Sequence, residues 1–351
     1  MNILFPFYGD SIGGSHISTS IIIKNLKTPF NPIVVLHKEG VLSKYFESNN
    51  IPFKIDSRLK FYKTGLINYF LSLHLYYKFL KKNKIQIIHT NEIDMHLTWI
   101  LPSLFSHIKH LWHQRTLGPN KSIYFSIFAT KVLTVSNYCK NSFPDFFKKR
   151  IEVLYDPISD NIYNEINNNN FEAIRLGWVG NLKHIKRFDI LIKTAKHLEL
   201  LTEKEVLINV YGKMFEPLFQ EYQNQIKEAK LDSSFQFHGF ENDLNLVYKE
   251  IDFLIATSEN DAFGRTLVEA FSYNKLVLAN NFGGHTEIID NNISGFLINN
   301  NDPIEYATKI LSLIKNTYEY DRITKNAFLK FRNKFSIEEH LKNITKIYMK
   351  L

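Results

Sequence analysis

Short apolar stretches alternate with segments of helical spacing along the first part of the chain. Stretches of this kind predict buried strands, which we place at 3–7, 33–37, 85–89, 110–113 and 132–135. Runs that are apolar throughout are typical of parallel strands covered on both faces. The alternation therefore predicts an α/β fold with helices on both sides of a parallel sheet.

A second series of the same kind follows, at 174–179, 206–211, 235–237, 253–256, 276–279 and 296–298. We therefore predict two Rossmann-like domains, at 1–157 and 172–335. The boundary is placed at Pro157, because proline interrupts regular structure and the Asn-rich stretch 161–170 has the composition of a connector. The last segment, 336–351, is predicted to be a helix with one apolar stripe, formed by Ile337, Leu341, Ile344 and Ile347.

The bulk composition fits a globular protein of this size. A chain of 351 residues with 44% hydrophobic content is long enough for two domains of ordinary size. The single cysteine, Cys139, excludes an internal disulfide and a cysteine metal cluster, which favours a reducing cytoplasm. The first residues resemble a strand more than a signal peptide, and no apolar run approaches the ~20 residues of a membrane span.

The formal charge of +8 suits a partner that carries phosphate. Nucleic acid, anionic lipid and a nucleotide-linked substrate all meet that description, and the charge alone does not choose among them.

The most informative segment is 257–270, where a strand passes into a helix predicted at 265–273. Asp261 and Glu269 stand eight positions apart across this turn. Loops at the carboxyl ends of parallel strands bind ligands, and the amides of Thr266 and Leu267 at the helix start can face a phosphate. Glu269 can accept hydrogen bonds from a vicinal diol such as a ribose. The alternative is that Asp261 caps the helix and Glu269 offsets its dipole.

Two further segments suggest an anion. Gly13 and Gly14 follow the first strand, and with His16 they open a helix predicted at 17–26, where a backbone can approach a ligand closely; a plain turn is the alternative. Lys186 and Arg187 stand at the start of another helix, where they can stabilise charge on a departing phosphate or simply be solvated.

Together with the run Phe-Gly-Gly-His-Thr-Glu at 282–287, these residues resemble the donor site of the family-4 retaining glycosyltransferases of the GT-B fold, the group 1 type. The family pattern is Glu-x7-Glu with Phe-Gly inside it, here Phe263 and Gly264, followed by a strand, Gly-Gly and Glu. Asp261 replaces the first Glu, and Asn181 replaces an Arg that the family usually shows after a strand.

The resemblance implies two parallel sheets facing across a cleft and a C-terminal helix that crosses back to the N-domain. It implies that Asp261 holds the donor sugar and Glu269 the ribose, while Lys186 and Arg187 hold the diphosphate. The residues implied to surround the donor are Gly13, Gly14, His16, Gly239, Phe263, Gly264, Arg265, Thr266 and Leu267. Neither a metal nor a cofactor is expected, because the nucleotide sugar is a substrate.

The resemblance also implies front-face transfer, in which the leaving phosphate helps to take the acceptor proton. His113 is the candidate for a contact to the donor sugar or its phosphate, and His16 is another. A hydrogen-bonded structural histidine is the alternative for both. Asn91 stands where many relatives have the second histidine of a His-x-His motif.

Basic and aromatic residues are mixed between 58 and 84. This mixture can seat a protein on an anionic bilayer surface. Stacking on single-stranded nucleic acid is less favoured, because nothing nearby resembles a nucleic-acid module. An ordinary helix with its aromatic residues in the core is the third interpretation.

These observations predict a cytoplasmic, metal-independent, retaining glycosyltransferase that is also peripheral to the membrane. It would move a sugar from a nucleotide-sugar donor to a glycan or lipid-linked glycan acceptor. The expected setting is bacterial surface polysaccharide assembly (O-antigen, capsule or lipopolysaccharide). The alternatives are a nucleotide-sugar epimerase of the same fold and a non-catalytic protein that binds a sugar or nucleotide.

Overall fold

The computed structural model describes residues 1–117, 121–159 and 171–351. They form two compact units, Met1–Ser159 with Ile337–Leu351, and Asp160–Ser336. The chain therefore leaves the first unit once and returns to it at its last helix. The predicted connector at 161–170 lies outside the described residues.

The first unit is built on a parallel sheet of seven strands, in the order β3-β2-β1-β4-β5-β6-β7. The strands are β1 Asn2–Phe7, β2 Asn31–Leu36, β3 Lys54–Ile55, β4 Ile87–Thr90, β5 Lys109–Gln114, β6 Lys131–Thr134 and β7 Ile151–Val153. The sequence pattern did not predict β3 and β7. Both are edge strands of two or three residues, too short to produce an apolar run.

Helices cover both faces of this sheet. Within the first 159 residues they are α1 Gly14–Asn25, α2 Val41–Ser48, α3 Leu66–Lys82, α4 Ile93–Phe105, α5 Asn137–Asn141 and α6 Asp145–Lys148. One apolar cluster joins α1 and α2 to β1 and β2, and another joins α3 and α4 to β1 and β4. Successive side chains of a strand point to opposite faces, so Phe5 and Leu4 enter different clusters.

The second unit has six parallel strands in the order β10-β9-β8-β11-β12-β13. The strands are β8 Ile174–Val179, β9 Val206–Tyr211, β10 Phe235–Gly239, β11 Phe253–Ala256, β12 Leu276–Asn280 and β13 Phe296–Ile298. The helices are α7 Phe188–Leu201, α8 Leu218–Glu228, α9 Leu244–Lys249, α10 Arg265–Ser272, α11 His285–Ile288, α12 Pro303–Lys315 and α13 Thr317–Lys334. All six strands were predicted, and the fold class of two Rossmann-like α/β domains is confirmed.

The last helix, α14 Ile337–Lys350, packs in the first unit against α1. Its buried side chains Ile344 and Tyr348 join the apolar cluster on that face of the sheet. The hydroxyl of Tyr348 lies 2.6 Å from Nδ1 of His89, and Nδ1 of His340 donates to the carbonyl of Tyr155 at 2.7 Å. Among the described residues, no helix combines the length and the apolar character needed to cross a bilayer.

Candidate functional site

The candidate site of the second unit lies between β8 and β11, where the order of the strands along the sheet reverses. Strands β8 and β11 are neighbours, but the chain continues to opposite sides of the sheet after each of them. The loops that follow such strands diverge and leave a crevice at the carboxyl edge, which is the ligand position in open α/β sheets. The hydroxyl of Thr257 donates to the carbonyl of Lys186 at 2.7 Å, and the amide of Glu259 donates to the carbonyl of Ile185 at 3.0 Å. The two loops therefore form one structure.

Asp261 is the centre of that structure. Its Oδ1 accepts a hydrogen bond from Nζ of Lys186 at 2.6 Å, and its Oδ2 lies 3.2 Å from Nε2 of His285. Burial alone would raise the pKa of Asp261, but the His285 hydrogen bond and the positive charge of Lys186 outweigh it and hold that pKa well below its usual range. Asp261 is consequently a carboxylate fixed between two donors.

His285 was not among the residues selected from the sequence. Its side chain is fully buried, and its Nδ1 lies 3.1 Å from the carbonyl oxygen of Asn280. The contacts to Asn280 and Asp261 fix the orientation of the ring. With Lys186, His285 therefore holds Asp261 between two side chains.

The turn between β11 and α10 is held by close backbone packing. Gly264 has φ +103°, in the left-handed region that favours glycine, and a Cβ there would lie 3.0 Å from Cδ2 of His285. A Cβ on Gly284 would lie only 2.3 Å from the carbonyl oxygen of Phe263. The Phe263 ring is buried and packs edge-on against Phe335 at 5.8 Å, so it anchors the turn from within the core.

The start of α10 differs in one detail from the expectation. The amide of Leu267 already donates to the carbonyl of Gly264 at 3.0 Å, so it does not face a phosphate in this structure. The first amides of a helix have no partner within the helix, and Thr266 keeps that position. The phosphate contact predicted for the two amides is therefore kept for the amide of Thr266 only.

Glu269 lies one turn further along α10 and is almost fully buried. Its Oε1 pairs with Nε of Arg265 at 2.7 Å, and its Oε2 lies 3.1 Å from the hydroxyl of Tyr248. Burial, followed by the Glu269 charge, raises the pKa of Tyr248 well above its usual value, so the hydroxyl remains a donor. A carboxylate has about four acceptor positions, which leaves capacity for the hydroxyls of a diol.

Arg187 takes a different position from its neighbour Lys186. It caps α7 with φ +48°, and its Nε and one terminal nitrogen donate to Asp189 at 3.0 and 3.1 Å. The other terminal nitrogen pairs with Glu259. These two carboxylates, the hydrogen bond to Asp189 first, raise the pKa of Arg187. The arrangement suits a brace between α7 and the loop after β11, and the diphosphate contact expected for Arg187 stays a prediction.

Gly239 ends β10 with φ +73°, after an irregularity in its pairing with β9. Its carbonyl accepts from the amide of Gly212 at 2.7 Å. Beside it, the ring of His238 stacks on Tyr211 with centroids 4.5 Å apart, and its Nε2 lies 2.8 Å from Oδ1 of Asn209. A Cβ on Gly239 would meet no atom within 4 Å, so a ligand can approach its backbone.

The first unit has a reversal of strand order as well, between β1 and β4. The loops after these two strands are therefore the second candidate position for a ligand. Gly13 caps α1, and its amide donates to Nδ1 of His16 at 3.2 Å. Nε2 of His16 lies 3.5 Å from Glu92, which follows β4. Burial lowers the pKa of His16 despite the opposing charge of Glu92. Gly14 begins the helix beside this pair, as expected for a loop that admits a ligand.

His113 lies at the end of β5 and is fully buried. Its Nε2 donates to the carbonyl of Leu154 at 3.3 Å, and its Nδ1 accepts from Arg115 at 3.1 Å. Burial and then the Arg115 charge lower its pKa well below the usual value. Arg115 itself forms a buried ion pair with Asp156. Both nitrogens of His113 thus face protein groups, which favours the structural alternative, and its role at the donor stays a prediction.

Within the described part of the chain, no group of three or more His, Cys, Asp or Glu side chains could hold a metal ion. The independence from metals remains a prediction.

Residues 161–330, which include the loops around Lys186 and Asp261, match the family model for glycosyl transferases group 1. The second unit of the chain is thus similar to the group 1 glycosyltransferases. The family predicted from the 257–270 and 282–287 segments is confirmed, while the retaining subtype stays a prediction.

Known proteins similar to this chain come from several organisms. An uncharacterized glycosyltransferase of Methanocaldococcus jannaschii is 29% identical over 237 residues, 66% of this chain and 64% of that relative. An uncharacterized 42.6 kDa protein in the cps region of Klebsiella pneumoniae is 28% identical over 267 residues, 70% of this chain and 65% of the relative. The chain thus matches slightly less than two thirds of each relative's length.

The fold of this chain is also that of a solved structure. The crystal structure of Anabaena HepE in complex with UDP matches with a TM-score of 0.86 at 20% identity, over 100% of both chains. At this identity the likeness concerns the fold alone.

Proposed function

We propose that the protein is a glycosyltransferase that moves a sugar from a nucleotide-sugar donor to a glycan or lipid-linked glycan acceptor. The observation that carries the proposal is the contact of Lys186 with Asp261 where the loops after β8 and β11 meet. A cation and a carboxylate at such a crevice suit the two parts of the donor, the diphosphate and the sugar hydroxyls.

In this proposal Lys186 exchanges its contact with Asp261 for the diphosphate, where negative charge grows as the nucleoside diphosphate leaves. Asp261 remains oriented by His285 and accepts hydrogen bonds from the donor sugar. Glu269 accepts from the ribose hydroxyls, and the amide of Thr266 adds a donor for a phosphate. Positioning and electrostatics supply the rate, without a dedicated protein base.

The choice of donor and setting rests on relatives. HepE has been crystallised with UDP and with UDP-glucose, which makes UDP-sugars the first donors to test. The Klebsiella relative lies in a cps region, which supports a role in surface polysaccharide synthesis such as capsule, O-antigen or lipopolysaccharide. Retention of the anomeric configuration, independence from metals and a cytoplasmic location at an anionic membrane surface belong to the same proposal.

The test is sugar transfer by Glu269→Ala. The variant removes the carboxylate proposed to bind the ribose, and the loss of charge-assisted hydrogen bonds worth about 1.5–3 kcal/mol predicts a decrease in kcat/KM of about 10- to 100-fold. Release of the nucleoside diphosphate and formation of the glycosylated acceptor are both measured with UDP-, GDP- and ADP-sugars. The anomeric configuration of the product is read by NMR.

Glu228→Ala is the matched control, because Glu228 is an exposed glutamate at the end of α8 in the same unit. It should leave transfer unchanged. Circular dichroism and the melting temperature establish that both variants fold. Wild-type kcat/KM in a folded Glu269→Ala variant would contradict the proposed ribose contact.

A further inference from the structure

Helix α3 of the first unit has an apolar outer face. Its inner face packs in the core through Tyr69 and Tyr76, which are almost fully buried. The interpretation of this segment as an ordinary core helix is therefore correct for one face. On the other face Leu66, Ile67 and Phe70 are exposed, Ile67 by 77% and Phe70 by 55% of their surface.

The apolar side chains form one patch. Leu66, Ile67, Phe70 and Leu71 follow the i, i+1, i+4, i+5 spacing, which places neighbours together on a helix surface. Leu71 is exposed by 69%, more than half of its surface like the other three. We call these four side chains the α3 patch. Contiguous exposed apolar groups of this kind mark contact sites, whereas single ones are ordinary.

Positive charge continues the same face of the helix. Lys78 and Lys81 lie two and three turns beyond Phe70. Lys63, which precedes the helix, instead pairs with Asp94 at 2.6 Å. Lys81 extends over the ring of Tyr77, with Nζ 5.8 Å from the ring centroid. The sequence contains no aspartate or glutamate between Asp56 and Glu92. The α3 patch and the lysines that follow it on the same helix are thus apolar and cationic.

This chemistry selects among the surfaces that could cover the α3 patch. A second copy docked through the same face would offer no carboxylate from α3, so Lys78 and Lys81 would gain no ion-pair partner from that helix, which disfavours a dimer. Stacking on nucleic acid bases requires aromatic rings, and three of the four patch side chains are aliphatic. An interfacial helix has apolar groups that enter the acyl boundary and lysines that meet anionic headgroups.

We propose that α3 is the membrane-docking element of the protein, with the α3 patch inserted into the interface of an anionic bilayer and Lys78 and Lys81 on its headgroups. The helix, of 17 residues and about 25 Å in length, lies along the bilayer surface in this arrangement. The inference rests on the membrane contact included in the proposed function and does not depend on sugar transfer. A failure of vesicle binding can therefore be distinguished from a failure of sugar transfer.

The experiment is flotation of the full-length chain with vesicles of phosphatidylcholine alone and of phosphatidylcholine with 30% phosphatidylglycerol. The expected result is binding to the anionic vesicles that weakens with salt. The double variant Ile67→Ser with Phe70→Ser should bind at least ~10-fold more weakly, because two apolar side chains no longer enter the interface. Lys78→Gln should lower the affinity by about fivefold.

The matched control is Leu200→Ser with Leu201→Ser, at the end of α7 in the other unit. These leucines are exposed by 69% and 54%. The control should float as the wild type does. The variant Phe70→Trp provides a second measurement, the fluorescence of a tryptophan in the α3 patch, which reports membrane insertion while binding is intact. Trp99, Trp112 and Trp178 are buried, so a blue shift of the new indole on anionic vesicles reports insertion.

Three results would overturn the proposal. The first is absence of wild-type binding to the anionic vesicles, and the second is equal binding of the Ile67→Ser, Phe70→Ser variant and the wild type. The third is a lipid-free dimer that this double variant dissociates, measured by sedimentation, because the patch would then be covered by a second copy.

Discussion

At the scale of single residues, the site depends on which groups hold Asp261. Two side chains contact its two oxygens, Lys186 from the loop after β8 and His285 from α11. Lys186 is mobile enough to exchange this contact for a ligand phosphate, because a lysine side chain has several rotatable bonds. His285 is fully buried and fixed by Asn280. The carboxylate therefore keeps its orientation when Lys186 turns away.

The pairing of Asp261 makes the stability of the protein depend on pH. Its folded-state pKa is lower than the usual 3.8, so the ionised form stabilises the folded protein above about pH 4, and this contribution disappears as the pH falls through the folded-state pKa. Asp261→Asn should lower stability by about 1–3 kcal/mol at pH 7. The difference in melting temperature from the wild type should shrink progressively below pH 4.

The exposed Asp232 provides the control, since Asp232→Asn should leave the melting temperature nearly unchanged at pH 7 and at pH 3. A constant difference between Asp261→Asn and the wild type from pH 7 to pH 3 would mean that the carboxylate charge does not stabilise the fold.

The residues of the site could be predicted from the sequence only in part. Asp261, Glu269 and Lys186 were found because their spacing around a strand-to-helix turn is local and periodic. His285 was missed, because a histidine after two glycines does not reveal which way its ring turns. The partner of Arg187 at Glu259 lies 72 positions away, and no local pattern indicates such a contact.

At the scale of elements, the start of α10 depends on a glycine. In Gly264→Ala, a side chain is forced into the left-handed conformation at about 1–2 kcal/mol, and its Cβ lies 3.0 Å from His285. We expect a lower melting temperature together with weaker donor binding, because both the turn and the His285 contact to Asp261 shift. Calorimetry and donor titration measure the two effects.

Gly13→Ala is the matched comparison at the other helix start. Gly13 has an extended φ of −158°, and a Cβ there would meet no atom within 4 Å. Stability should change by about 1 kcal/mol or less. A loss of donor binding in this folded variant would then report a ligand close to the Gly13 backbone. Equal destabilisation of both variants would contradict the conformational argument for Gly264.

The central strands of the two sheets were easier to predict than the edge strands of the first sheet. The buried strands of both sheets are mostly apolar, which makes them recognisable in the sequence, and 174–179 and 206–211 were predicted to the residue. Edge strands β3 and β7 carry exposed polar residues and were invisible to the same test. For helix α3 the residues were recognised in the sequence, but their burial could not be predicted. Its aromatic residues were visible, but only the structure separates the buried Tyr69 from the exposed Phe70.

At the scale of the whole molecule, the first unit is completed by residues from the end of the chain. Ile344 is fully buried in its apolar cluster, so Ile344→Ala should cost about 2–5 kcal/mol. Met349 lies five positions further along α14 but is 72% exposed. Met349→Ala is therefore the control and should be nearly neutral. Calorimetry of both variants checks the difference, and similar melting temperatures would contradict the packing of α14.

This discontinuity bears on how the protein is made. During synthesis, residues 171–336 leave the ribosome as one uninterrupted segment and can complete their sheet at once. All seven strands of the first sheet precede that segment in the chain, yet the apolar side of α1 is covered only once Ile344 and Tyr348 of α14 have also been synthesised. In that interval the nascent chain exposes the apolar side chains of α1, and we expect chaperones that shield such surfaces to stay bound longest to the first unit.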